Sequence, residues 1–105
     1  MDMGNIFQQA RRMHEKLDKI QDELAGKTLT GESGGGMVRV AVNGRRRALS
    51  VQIEPALLAA SEKKMLEDLL VAAINDALRK AEDLSKQEIA RLTGGVTIPG
   101  LGGLF

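Results

Sequence analysis

Large apolar residues occupy every second position in two stretches near the middle of the chain, 38–42 and 49–53. A strict period of two is typical of half-buried antiparallel strands. The dipeptide between the stretches, Asn43-Gly44, is a common hairpin turn. The pattern therefore predicts a β-hairpin with one buried face of six residues: Val38, Val40, Val42, Leu49, Val51 and Ile53.

The turn between these strands leaves two registers open. A two-residue loop pairs Val38 with Leu49, whereas a four-residue loop over 43–46 pairs Val38 with Val51. Both registers keep the large apolar residues on one face, while a slip by one residue divides them between the faces. The pattern therefore predicts the buried face but not the turn type.

Apolar residues at steps of three and four predict two long helices, one on each side of the hairpin. The first covers 5–25, with Asn5 as its N-cap and Gly26 as a left-handed C-cap. Its apolar positions form a heptad seam, which suits either a helix lying on a sheet or a helix–helix contact. The second helix runs from Ser61, its N-cap, to Thr93, and its wide apolar face lies in its first half. The seam of the first helix contains Met3, Ile6, Ala10, Met13, Leu17, Ile20 and Leu24.

Weaker signals complete a prediction of α+β class, with three strands between two helices. Residues 27–33 read as a further strand, and Gly34–Gly36 as the turn that leads into the hairpin. Pro55 suits the start of a short helical turn over 56–60. We expect one domain over residues 1–93 and a flexible Gly/Pro-rich tail over 94–105.

The length of the second helix indicates that the chain is not a compact monomer. A helix over 61–93 spans about 50 Å, whereas a compact monomer of this size is about 33 Å across. The second half of the helix should therefore project, and an antiparallel first helix would place 5–13 beside 84–92. Because such a subunit has too little core for its apolar stripes, we expect a homodimer, through either the seam or the edge of the sheet.

Composition argues against catalysis and cofactor binding. The chain has no Cys and a single histidine, His14, which lies on the polar side of the first helix. Gly34–Gly36 is not followed by the Gly-Lys-Ser/Thr of a phosphate-binding loop. No stretch has the length and hydropathy of a transmembrane helix or a secretory signal. We expect no catalytic residue, no metal, no cofactor and no small-molecule substrate.

Charge is distributed unevenly, although the net charge is only +1. The first 27 residues are neutral, residues 28–54 carry +2, and residues 55–105 carry −1. Carboxylates are interspersed among the basic residues of both helices, for example in the i, i+4 pairs Glu15–Lys19 and Glu82–Lys86. The hairpin arginines suit either a solvated tip that protects the sheet from aggregation or a phosphate contact. The candidates for phosphate binding are Arg11, Arg12, Lys16 and Lys19 on the first helix, Arg79, Lys80, Lys86 and Arg91 on the second, and Arg45, Arg46 and Arg47 in the hairpin.

Three segments in order resemble the YbaB/EbfC family of bacterial nucleoid-associated proteins: TGESGGGMVRVAVNGRRR, VQIEPALL and EKKMLEDLLVAAINDALRKAE. The first helix, NIFQQARRMHEKLDKIQDELA, also resembles the Gln/Met/Lys-rich start of that family. The resemblance implies an αβββα subunit that forms a tweezer-like homodimer with projecting helices. It also implies double-stranded DNA binding that alters DNA conformation, in the bacterial cytoplasm and nucleoid. It identifies the helical arms as DNA-facing elements but no individual contact, so Arg45–Arg47 rest on the charge argument alone.

These observations favour a non-enzymatic DNA-binding protein with little sequence specificity, because neither helix presents a compact reading surface of Arg, Asn and Gln. The alternative is a protein-interaction adaptor for the replication, recombination or repair machinery. Its support is the near-neutral charge and an apolar chain end, Leu104-Phe105. In that case the seam and the tail would be the docking surfaces.

Overall fold

The computed structural model describes residues 3–94 of the chain, apart from the side chain of Thr93. The order of elements confirms the α+β prediction of three strands between two helices. A left-handed glycine turn over Gly34–Gly36 and short 3₁₀ turns over Pro55–Leu58 and Ala60–Glu62 connect them. The helices are α1 (Met3–Ala25) and α2 (Lys63–Thr93), and the strands are β1 (Thr28–Ser33), β2 (Val38–Asn43) and β3 (Ala48–Ile53).

The core lies between α2 and two of the three strands. The sheet is antiparallel in the order β1-β2-β3, and α2 packs across β1 and β2. The valines of β2 are buried against three alanines of α2 and against Leu57. On β3, by contrast, Leu49 is 51% exposed and Val51 is 49% exposed. The predicted apolar face therefore exists, but residues 3–94 cover only the β2 half of it.

The hairpin register differs from both predicted registers. Val38 pairs with Ile53 and Val40 with Val51. The loop has three residues, because Asn43 is bonded to Arg47 and the last loop residue, Arg46, is left-handed with φ 66°. A hairpin loop with an odd number of residues would, by itself, turn the apolar residues of β3 to the face of the sheet opposite the valines of β2. A register shift between Ala41 and Val42, which leaves Leu49 unpaired in β3, restores them to the helix side of the sheet.

None of the three predicted helix caps is found in the structure. α1 begins at Met3, so Asn5 lies inside the helix. Gly26 follows the end of α1 without a left-handed backbone, and Ser61 belongs to a 3₁₀ turn that precedes α2. α2 ends at Thr93, as predicted, and Gly94 caps it with φ 65° and its N–H bonded to the carbonyl of Ala90.

The two helices are antiparallel, but with a different offset from the predicted one. The segment of α1 that lines a shared cleft with α2 is 16–23, and it faces Glu88, Arg91 and Leu92. The predicted pairing of 5–13 with 84–92 is therefore wrong. Because Lys16 is level with the end of α2, the preceding turns of α1 extend about 20 Å beyond it. The chain is accordingly elongated, with a radius of gyration of 18.8 Å and a long axis of 69 Å.

Candidate nucleic-acid interface

All eleven predicted phosphate-binding residues are exposed, but ion pairing separates them into two groups. Those on α2 have carboxylate partners. Among the described residues 3–94, those on α1 and in the hairpin have none. The paired group is Arg79, Lys80, Lys86 and Arg91, and the unpaired group is Arg11, Arg12, Lys16, Lys19, Arg45, Arg46 and Arg47.

Two of the cations on α2 contribute to the packing of the sheet. Lys80 Nζ donates to the carbonyl of Thr30 at 2.8 Å and lies 3.3 Å from Asp76 Oδ2. Arg79 Nη2 lies 2.7 Å from Asp76 Oδ1. Asp76 in turn accepts the backbone N–H of Glu32 at 3.0 Å, so Asp76 and Lys80 occupy the free edge of β1, and Arg79 is linked to that edge through Asp76. Phosphate binding by Arg79 and Lys80 would therefore compete with the contacts that hold α2 on the sheet.

The other two cations of α2 are paired along the helix. Lys86 lies 3.2 Å from Glu82, which confirms that predicted i, i+4 pair. Arg91 lies 3.4 Å from Glu88, a buried carboxylate that Lys27 also approaches at 3.4 Å. The exposed Lys86–Glu82 pair stabilises little, but both pairs place a negative charge beside the cation. The electrostatic field toward a phosphate is weakened accordingly.

The carboxylate of Asp76 has a pKa below its usual value. The main cause is the hydrogen bond from the Glu32 backbone, assisted by Lys80 and Arg79 and opposed by burial. A carboxylate with a lowered pKa in the folded state stabilises the protein above the pKa of the unfolded chain, about 4. That stabilisation is lost as the pH falls through the folded-state pKa.

Asp76→Asn is therefore expected to destabilise the protein at neutral pH, and the difference from the unmutated chain should shrink as the pH falls below about 4. Urea unfolding at a series of pH values measures this. Asp68→Asn is the matched control, because Asp68 pairs with Lys64 only at the exposed surface. If both variants have the same pH profile, Asp76 does not have the assigned role.

Three of the unpaired cations form a stripe along α1. Arg12, Lys16 and Lys19 are spaced i, i+4 and i+7, which places them on one side of the helix and within about 10 Å along its axis. Lys16 and Lys19 line the cleft with Arg91. The predicted Glu15–Lys19 pair is not among the ion pairs of residues 3–94. His14 lies at the exposed surface, 3.4 Å from Asp18.

The hairpin arginines occupy a constrained loop at the base of α1. Asn43 Oδ1 accepts the backbone N–H of Arg45 at 2.9 Å and that of Arg47 at 3.0 Å. Gly44 donates to the carbonyl of Leu24 at 2.9 Å, which ties the loop to the last turn of α1. The sequence identified Asn43-Gly44 as the turn, but not the role of the Asn43 side chain as the acceptor that closes the loop. The loop that carries the three arginines thus lies beside the C-terminal end of α1, where the helix dipole favours cations.

These features define a class of protein: a small α+β subunit that presents unpaired cations along a projecting helix and at a hairpin, a surface suited to a polyanion. No helix within residues 3–94 is long and apolar enough to cross a membrane. In the same part of the chain, no group of three His, Asp or Glu side chains could hold a metal ion. The predicted tail segment, with Leu104-Phe105, lies outside the described residues.

Comparison with known proteins identifies the family. A model of the YbaB/EbfC DNA-binding family matches residues 1–96. The chain is 52% identical to a nucleoid-associated protein of Desulfotalea psychrophila over 96% of its length and 95% of the relative's. It is 45% identical to a nucleoid-associated protein of Caldanaerobacter subterraneus over 95% of its length and 90% of the relative's. The fold is similar to that of an uncharacterized protein from Helicobacter pylori, with a TM-score of 0.81. The two sequences are 26% identical, and the match covers 89% of this chain and 98% of the Helicobacter pylori chain. The chain belongs to the YbaB/EbfC DNA-binding family, which is a family of nucleoid-associated proteins and not of known enzymes.

Proposed function

We propose that this protein is a homodimeric component of the bacterial nucleoid that binds double-stranded DNA through its phosphates, with little sequence specificity, and alters DNA conformation. The observation that supports this most directly is the group of unpaired cations on α1 and in the hairpin. The family's DNA-binding character and the nucleoid-associated relatives support the same partner and place of action.

Phosphate binding follows from the chemistry of these side chains. Lysine and arginine that neutralise phosphates release condensed counterions, and the resulting affinity depends on salt and not on base sequence. Arg12, Lys16 and Lys19 present three such charges along one side of α1. We rank the cations of α2 below them, because each of those already has a carboxylate neighbour.

Fluorescence anisotropy with several unrelated duplexes, titrated across a salt series, tests the proposed function. Binding should be similar for all duplexes and should weaken steeply as salt increases, with a slope of about −0.9 in log–log form for each phosphate contacted. Absence of binding at low salt, or binding that salt does not change, would refute the phosphate model.

The homodimer is proposed from the uncovered part of the sheet. Leu49 and Val51 are half exposed on the helix side of β3. On α2, Asp76 and Lys80 lie toward β1, so the opposite flank, with the partly exposed Ile74, lies toward β3. An apolar trough between β3 and this flank suits the same surface of a second copy related by a two-fold axis. Covering it would bury apolar area that an elongated monomer leaves in water.

Replacement of Val51 by Asp is expected to dissociate the dimer, because a charge at the centre of an apolar interface would be desolvated without a partner. Light scattering should give twice the chain mass of 11.3 kDa for the unmutated protein and the single mass for the variant. Leu58→Asp is the matched control: Leu58 is 66% exposed but lies in the 3₁₀ turn after β3. An unmutated protein that is monomeric at all concentrations would refute the dimer.

A further inference from the structure

The free end of α1 carries large apolar side chains that no part of the described chain covers. Met3 is 65% exposed, Phe7 is 64% exposed and Ile6 is 40% exposed. Further along the same helix, Met13, Leu17 and Ile20 are half buried and Leu24 is buried. The apolar tip is therefore the part of the arm that extends beyond α2, where burial against the sheet or α2 is not available.

Phe7 does not belong to the heptad seam. The seam passes through Ile6 and Ala10, and consecutive residues of an α-helix point about 100° apart. Phe7 instead shares a side of the helix with Met3 and Arg11, its i−4 and i+4 neighbours. Because Met3 is itself a seam residue, Phe7 flanks the seam, and a helix–helix contact along the seam would cover this large aromatic side chain only in part.

The chemistry around the tip suits DNA. Residues 3–14 contain no Asp or Glu, and the nearest carboxylates in the sequence are Asp2 before them and Glu15 after them. Arg11 and Arg12 have no ion-pair partner within residues 3–94. The other polar residues there include three neutral amides, Asn5, Gln8 and Gln9. Apolar side chains with Arg, Asn and Gln are the combination that minor-groove proteins use, the apolar groups entering between base steps and the polar groups contacting the groove.

We propose that the tip of α1 is an apolar wedge that enters the minor groove and unstacks a base step, with Phe7 as the inserted side chain. Arg11 and Arg12 bind the flanking phosphates, and Met3 and Ile6 contact the displaced bases. This inference rests on the proposed DNA binding, and it assigns the change of DNA conformation to a specific side chain. Sequence preference stays weak, because the minor groove distinguishes little more than A·T from G·C pairs.

The test uses Phe7→Ala, with duplexes that carry 2-aminopurine as a reporter of unstacking and end labels for energy transfer as a reporter of kinking. Alanine is the strongest helix former, so the arm of the variant stays helical. The unmutated protein should raise the 2-aminopurine fluorescence at least about twofold and bring the duplex ends closer. The variant, at saturation, should give the fluorescence of free DNA, while its Kd rises less than about tenfold.

Leu58→Ala is the matched control, because Leu58 is as exposed as Phe7 but lies in the 3₁₀ turn after β3, away from α1. It should unstack DNA as the unmutated chain does. Failure of the unmutated protein to bind DNA at low salt would overturn both the wedge and the proposed function. DNA binding without a rise in fluorescence, or an equal rise with Phe7→Ala, would overturn the wedge alone. A change of mass in light scattering for Phe7→Ala would also overturn it and would assign the tip to a contact between copies.

Discussion

Gly31→Ala is expected to lower the free energy of unfolding by about 3 kcal/mol, near the upper end of the usual cost of overpacking. A Cβ atom at Gly31 would lie 2.2 Å from the carbonyl oxygen of Ala73 and 2.3 Å from the backbone nitrogen of Ala77. Both atoms belong to the backbone of α2, so no side-chain rotation relieves the overlap. The helix would have to move away from the sheet and from the valines of β2 that it covers. Urea unfolding followed by circular dichroism measures the change.

Gly26→Ala is the control for this prediction. A Cβ atom there would meet only the carbonyl oxygen of Glu23, at 3.6 Å, an ordinary contact. Its backbone is not left-handed, so the substitution introduces no strain of that kind. The stability should change by less than about 1 kcal/mol. If the two variants lose the same free energy of unfolding, the close contact between Gly31 of β1 and the backbone of α2 is not the cause of the loss.

Replacement of the four basic residues of α1 by serine is expected to lower DNA affinity by about 100-fold or more near 0.1 M salt. If each side chain neutralises one phosphate, the salt dependence should fall by about four in log–log slope per subunit. The loss should be the same for unrelated duplexes, because phosphate contacts do not read the bases. Anisotropy titrations at several salt concentrations give both quantities. The substituted residues are Arg11, Arg12, Lys16 and Lys19.

The corresponding α2 variant removes the same number of charges from side chains that are already paired: Arg79, Lys80, Lys86 and Arg91. It should lose less than about tenfold in affinity, once circular dichroism has shown that it folds. A third variant, with Arg45–Arg47 changed to serine, measures the hairpin separately. If the α2 variant loses as much affinity as the α1 variant, ion pairing does not determine which cations contact DNA.

The elements that sequence predicted well are those with a strong local signal. The alternation at 38–42 and 49–53 identified two strands to within one residue at each end. Gly34–Gly36, all with positive φ, forms the predicted turn, and Gly94 ends α2 as expected. The caps at Asn5 and Ser61 were wrong because a polar residue that can cap a helix is also tolerated inside a helix or a 3₁₀ turn. The candidate cations are at the surface, but their sequence positions did not separate paired from unpaired residues.

By itself, the sequence determined the order αβββα, the apolar face of each element and the set of basic residues, because these follow from periodicity along a single segment. Tertiary structure decided what depends on segments far apart in the chain. The bond from Gly44 to Leu24 ties the hairpin loop to α1, and the bulge at Leu49 returns β3 to the correct face. The offset of α1 against α2 leaves the turn around Phe7 uncovered. The four candidate cations of α2 pair with carboxylates three or four residues away on the same helix, whereas Glu15 and Lys19 on α1 have the same spacing but do not form an ion pair in residues 3–94. Distances across the fold fix the loop contact, the bulge and the helix offset, and periodicity within one segment contains no information about them.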